Sequence, residues 1–161
     1  MNAAIRTLRP SASLVLGAAL FLAQLGHATT VGDFNMENAI IPVEEVLAGG
    51  PPRDGIPSID RPKFVPPAQA RYLEEDDLVV SVTHAGETRA YPLRILVWHE
   101  IVNDRIGELA INVSYCPLCG SAMVFDRTIG GRTLEFGVSG LLFQSDVLMY
   151  DRQTESLWSQ L

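Results

Sequence analysis

The only two cysteines in the 161 residues stand in Ser114-Tyr115-Cys116-Pro117-Leu118-Cys119-Gly120-Ser121, separated by two residues. Three chemistries fit that spacing. A tight turn can aim two thiolates at one soft or borderline metal ion, Zn²⁺ or Cu⁺, with Gly120 allowing the backbone a positive φ. A Cys-Pro-x-Cys pair can also cycle between dithiol and disulfide, although such pairs open a helix whose N-terminus stabilises the thiolate. Here Gly120-Ser121-Ala122-Met123-Val124-Phe125-Asp126 reads as a strand, so that support is missing. The third possibility is a short-range structural disulfide, or two buried thiols with no task. No second Cys-x-x-Cys exists, so a metal would need other donors.

His99, in Trp98-His99-Glu100, is the best extra ligand, because a neutral imidazole beside two thiolates suits either ion. The competing reading is a half-buried helix histidine bonded to a backbone carbonyl. His84 precedes a turn and reads as solvent-facing, and His27 lies in the N-terminal apolar region. Asp54, Asp60, Asp126, Asp146 and Asp151 offer carboxylates, but Asp near turns mostly caps local backbone. Asp126-Arg127 and Asp151-Arg152 read as surface ion pairs. Ser139 lacks a Gly-x-Ser-x-Gly setting, so a serine hydrolase is not indicated. Trp98 and Trp158 read as packing residues.

The elements that must carry these side chains are mainly strands. Residues 78–84 and 88–91 form a hairpin around Ala85-Gly86-Glu87. Pro92 starts the main helix, which runs to about Val102 and puts Ile95, Val97, Trp98, Ile101 and Val102 near its apolar face. Strands follow at 109–115, 122–127, 132–138, 141–143 and 147–150, with residues 156–161 also strand-like. Shorter helical pieces are expected at 43–47 and 68–77. The predicted fold class is α+β: mainly antiparallel sheet, with one main helix before the Cys-x-x-Cys hairpin.

Residues 1–28 have the form of a secretory signal peptide: Arg6 and Arg9, an apolar run, then Gly26-His27-Ala28. The run is too short to span a membrane comfortably, and no later stretch could. Residues 29–67 are a Pro- and Gly-rich segment, expected as an ordered extended wrap pinned by Ile56, Ile59, Phe64 and Val65. Residues 68–161 form the β-rich domain, and the strand-like end suggests an incomplete C-terminus. Losing Arg6 and Arg9 would move the net charge from −7 to −9, which excludes nucleic acid as a partner through net charge. The expected location is the periplasm or outside the cell, where an oxidising environment would close an unprotected thiol pair.

Several blocks carry a resemblance: Asp54-Gly55-Ile56-Pro57-Ser58-Ile59-Asp60, residues 90–104, the cysteine block, Phe136-Gly137-Val138-Ser139-Gly140-Leu141, and residues 146–160. Through them the chain resembles a family of exported bacterial and archaeal proteins, the domain-of-unknown-function family DUF3179. The resemblance implies export and a domain type, and members usually longer than this chain. It implies no reaction. Three readings therefore stand: a protein binding Zn or Cu through Cys116, Cys119 and His99; a thiol-disulfide oxidoreductase using Cys116 and Cys119; and a non-enzymatic binding module with a structural disulfide.

Overall fold

The computed structural model describes residues 30–161. The proposed signal peptide lies outside them. In chain order the elements are β1 (Thr30–Val31), β2 (Phe34–Asn35), β3 (Val46–Ala48), β4 (Val79–His84), β5 (Glu87–Pro92), α1 (Leu93–His99), β6 (Ile101–Ile106), β7 (Leu109–Cys116), β8 (Ser121–Asp126), β9 (Thr128–Ile129), β10 (Arg132–Thr133), β11 (Phe136–Phe143), β12 (Asp146–Asp151) and β13 (Leu157–Ser159). The architecture is antiparallel sheet with one short helix, as the pattern predicts. One sheet has the order β6-β7-β8 and another β13-β12-β11-β3, while β4-β5, β1-β2 and β9-β10 are two-stranded.

The two larger sheets pack against each other through β6 on β11 and β7 on β12. Side chains alternate across a strand, and β6 and β7 use both faces. Ile101 packs with Phe136, Val138 and Met149 of the second sheet. Val102, Ile106, Ile111 and Val113 point the other way, onto Tyr91 and Leu96. The even-numbered residues of β7 follow the first direction: Asn112 reaches Met149 and Ser114 reaches Gln160. Cys116 falls in that register. A third cluster, built on Phe34, Val46, Leu148 and Tyr150, covers the outer face of β11-β12.

The helix is shorter than its sequence predicts. It stops at His99, because Glu100 takes φ 57° and turns the chain straight into β6. Ile101 and Val102 therefore belong to a buried strand, as do Asn103 and Asp104 just beyond the expected helix end. Trp98 is 74% exposed rather than packed. The helix expected at 68–77 is reduced to a single 3-10 turn, Pro67–Gln69, and the one at 43–47 to Val43–Glu45 followed by β3. Ser139-Gly140 does not end a strand: it is a bulge inside β11, where the register shifts between Val138 and Leu141.

The Pro-rich segment is pinned by specific bonds; of the apolar residues expected to hold it, Ile56 and Ile59 pack against core clusters, whereas Phe64 and Val65 are exposed. Ile59 forms a parallel bridge with Val102, Asp54 N–H donates to Val138 O, and Gly49 N–H donates to Gly140 O. Gly140 has φ +78°, and a Cβ there would collide with the Pro51 carbonyl. Arg152 binds Asp54 and Asp60 of this segment rather than its neighbour Asp151, which instead accepts from Thr154 and Trp158. Arg127 is likewise no surface partner of Asp126. It is buried and donates to the carbonyls of Leu134 and Asp104.

Candidate metal centre

The cysteine turn forms because β7 and β8 pair up to Cys116↔Ser121, leaving Pro117-Leu118-Cys119-Gly120 to reverse the chain. Gly120 supplies φ 69°, and its N–H donates to Cys116 O at 2.9 Å. A second turn approaches from the other sheet. Phe143 and Asp146 pair across Gln144-Ser145, and both turn residues have positive φ, 50° and 68°. Such a two-residue loop matches the twist of the strands it joins. It brings the Ser145 carbonyl to 3.9 Å from Cys116 Sγ and sets Asp146 at the start of β12.

The two turns meet at one point. Cys116 Sγ, Cys119 Sγ and a carboxylate oxygen of Asp146 lie within 4.8 Å of one another. Both cysteines are free thiols, Cys116 buried and Cys119 exposed. Asp146 is only 2% exposed, and among the described residues no basic side chain pairs with it. Its one backbone donor is Val147 N–H at 2.7 Å.

Ser121 and Gln160 complete the surroundings. Gln160 Nε2 donates to Ser114 Oγ at 2.9 Å, which orients Oε1 toward Ser121 Oγ at 2.5 Å. The Ser121 hydroxyl also lies 3.1 Å from Asp146 Oδ2 and 3.0 Å from Cys119 Sγ. One hydroxyl proton cannot serve the amide oxygen, the carboxylate and the sulfur together. With the hydroxyl proton on Gln160 Oε1, the Cys119 thiol can donate to Ser121 Oγ in turn. Burial pushes the Cys116 thiol up to about 12; the Cys119 side chain and Asp146 add to the rise, and the Cys119 backbone N–H opposes it.

Of the residues singled out from sequence, Cys116 and Cys119 come together and Asp146 joins them. Asp146 was visible only as one of several turn-associated carboxylates, since its neighbourhood depends on a sheet-to-sheet contact. Ser121 and Gln160 had no sequence signal beyond the turn length that sets Ser121 opposite Cys116. His99 Nδ1 lies 2.8 Å from Pro57 O. A carbonyl only accepts, so Nδ1 is the donor in this bond. His84 is exposed, as expected. Glu100 and Cys116 share the lining of a small cleft of about 40 Å³. Burial raises the Glu100 carboxyl above its ordinary range.

Among the described residues no helix is long and apolar enough to cross a membrane. No curated protein matches the chain, and no solved structure does. Residues 53–161, which carry the cysteine turn and Asp146, match the model of a family described as protein of unknown function (DUF3179), and the chain belongs to that family.

Proposed function

We propose that this is an exported metal-binding protein that holds Zn²⁺ through Cys116, Cys119 and Asp146. One observation carries the reading: a buried carboxylate without a cationic partner among the described residues stands beside two free thiols. An unpaired buried charge costs several kcal/mol, on the order of the stability of a whole domain. A divalent cation removes that cost and displaces the thiol protons as it binds. Two sulfurs with one hard oxygen suit Zn²⁺ better than Cu⁺, which favours soft donors alone. Tetrahedral Zn–S bonds of about 2.3 Å need only modest closing of the two turns.

Three protein donors leave a fourth position, which falls to water or to His99 Nε2. The His99→Ala variant separates the two: a protein donor lost there weakens binding, and a water ligand leaves it unchanged. The apolar N-terminal stretch ending at Gly26-His27-Ala28 supports export. N-terminal sequencing of the mature protein should then begin at Thr29. In that compartment a bound ion keeps the thiols from closing into a disulfide.

The test is titration of the reduced full chain with Zn²⁺, and with Co²⁺ as a spectroscopic probe, against a competing chelator. One ion per chain, a sulfur-to-cobalt charge-transfer band, and loss of both in Cys116→Ser and Asp146→Ala support the proposal. Absence of Cys-dependent binding refutes it. Rapid reversible disulfide exchange in the same preparation would favour the oxidoreductase reading, against which the buried, proton-retaining Cys116 and the strand that follows the turn both argue.

A further inference from the structure

A second cavity, sharing no lining residue with the cleft at Cys116, opens between the Pro-rich segment and the β4-β5 hairpin with α1. Its volume is about 550 Å³. That lies inside the roughly 300–1,000 Å³ of small-molecule sites. Its walls include Phe64, Tyr72, Leu73, Tyr91, Ile95 and Leu96. They are held in place rather than loosely collapsed. Tyr91 OH donates to Asp104 at 2.7 Å, Phe64 stands edge-on to the Tyr91 ring, and the Arg89 guanidinium lies over Phe64 at 4.7 Å.

The charges around the cavity are unevenly matched. Arg89 Nε is bonded to Glu87 and Nη1 to both oxygens of Asp104, so one guanidinium is fully engaged by two carboxylates and has no charge left for a ligand. Lys63 also lines the cavity and forms no ion pair or hydrogen bond among the described residues. An apolar body would displace water from the aromatic and aliphatic walls, and a single anionic head would meet Lys63.

We propose that this cavity binds a small apolar carboxylate, one molecule per chain, with its hydrocarbon body between the Pro-rich segment and α1 and its carboxylate at Lys63.

Decanoate is a suitable probe, read by displacement of the dye anilinonaphthalene sulfonate from the full chain. Saturable one-to-one binding is expected. Ala90 lines the cavity on β5, where an aromatic residue suits a strand. Ala90→Trp should fill the space and weaken decanoate binding about tenfold or more, while Lys63→Glu should weaken it about fivefold, the scale of an exposed charge pair. Cys116→Ser should leave it unchanged, so this site stands or falls apart from the metal centre. Non-saturable displacement overturns the proposal, as does an Ala90→Trp chain that melts like the parent and binds equally well. Should Ala90→Trp not fold, backbone amide shifts on adding decanoate must fall within residues 62–73 and 87–96 of the parent. Shifts confined elsewhere overturn it.

Discussion

Asp146→Asn separates a metal ligand from a turn cap, because the two roles predict opposite results. The substitution keeps the side chain's shape and its Oδ1 acceptor for Val147 N–H. The new amide can also donate to Ser121 Oγ, whose own proton goes to Gln160. What disappears is one negative charge at a site 2% exposed with no basic partner among the described residues. Without metal, the variant should therefore be more stable than the parent, by about 1–2 kcal/mol, since a buried charge gives way to a satisfied neutral group. For a domain of this size that is a rise in melting temperature of about 3–8 °C. With metal the order reverses. An anionic ligand lost from a three-donor set should weaken Zn²⁺ binding about 100-fold, or about 2.7 kcal/mol. At free Zn²⁺ of about 100 times the parent's Kd, the parent gains about 2.7 kcal/mol and the variant only about 0.4 kcal/mol. Thermal melts of both chains, with chelator and with buffered Zn²⁺, read all four values. A variant that melts lower than the parent without metal, yet gains the same increment with it, would show that Asp146 only caps its turn.

Zinc affinity should depend steeply on pH. The Cys116 thiol, pushed up to about 12 by burial, is protonated in the ion-free chain at neutral pH. Binding must displace that proton, so apparent affinity should rise about tenfold per pH unit from this group alone between pH 6 and 9; a flat profile in chelator competition would remove Cys116 from the ligand set. The ion-free chain should lose stability as pH climbs from about 9 through about 12, because the folded state holds a proton that the unfolded thiol releases. Burial tends to raise the Asp60 carboxyl, but hydrogen bonds from Arg152, Asn103 and Ser58 outweigh it and hold the group below its ordinary range. Its contribution is thus present above about pH 4 and lost as pH falls through the depressed value, and Arg152→Ala should flatten that acid loss in melts between pH 5 and 3. Gly140→Ala should cost about 2–5 kcal/mol in urea unfolding, since it combines a positive φ with a collision against the Pro51 carbonyl.

The strands of the cysteine hairpin were legible because local signals agree there: β-branched runs on either side, Pro and Gly in the turn, and a spacing that fits one reversal. The helix end was not. Ile95, Val97, Trp98, Ile101 and Val102 match a helical stripe, yet a positive φ at Glu100 hands the last two to a strand buried on both faces. Periodicity cannot separate a short amphipathic helix from a helix running into such a strand. Arg127 and Arg152 misled for another reason: each stands one residue past the end of its strand, β8 or β12, where the chain changes direction and the arginine reaches a different segment from its neighbouring Asp. Arg152 turns to the Pro-rich segment while Asp151 turns to Thr154 and Trp158.

The alternation of side chains across a strand explains why the centre sits where it does. Asn112, Ser114 and Cys116 share the face of β7 that looks toward β12 and the chain beyond β13, so the polar residues of that face occupy the seam between the two sheets. The cysteines come from the first sheet, Asp146 from the second, and Gln160 from beyond β13. Ion binding there would tie together segments already joined at that end by Ser121, through its contacts to Asp146 and Gln160, by Gln160 on Ser114 and by Cys116 at the Ser145 carbonyl. Metal affinity and the docking of the two sheets are then one quantity measured two ways. A ligand change that weakened one without the other would mean that the turns are held in place by the apolar contacts of Ile101, Val138 and Met149 and not by the centre itself.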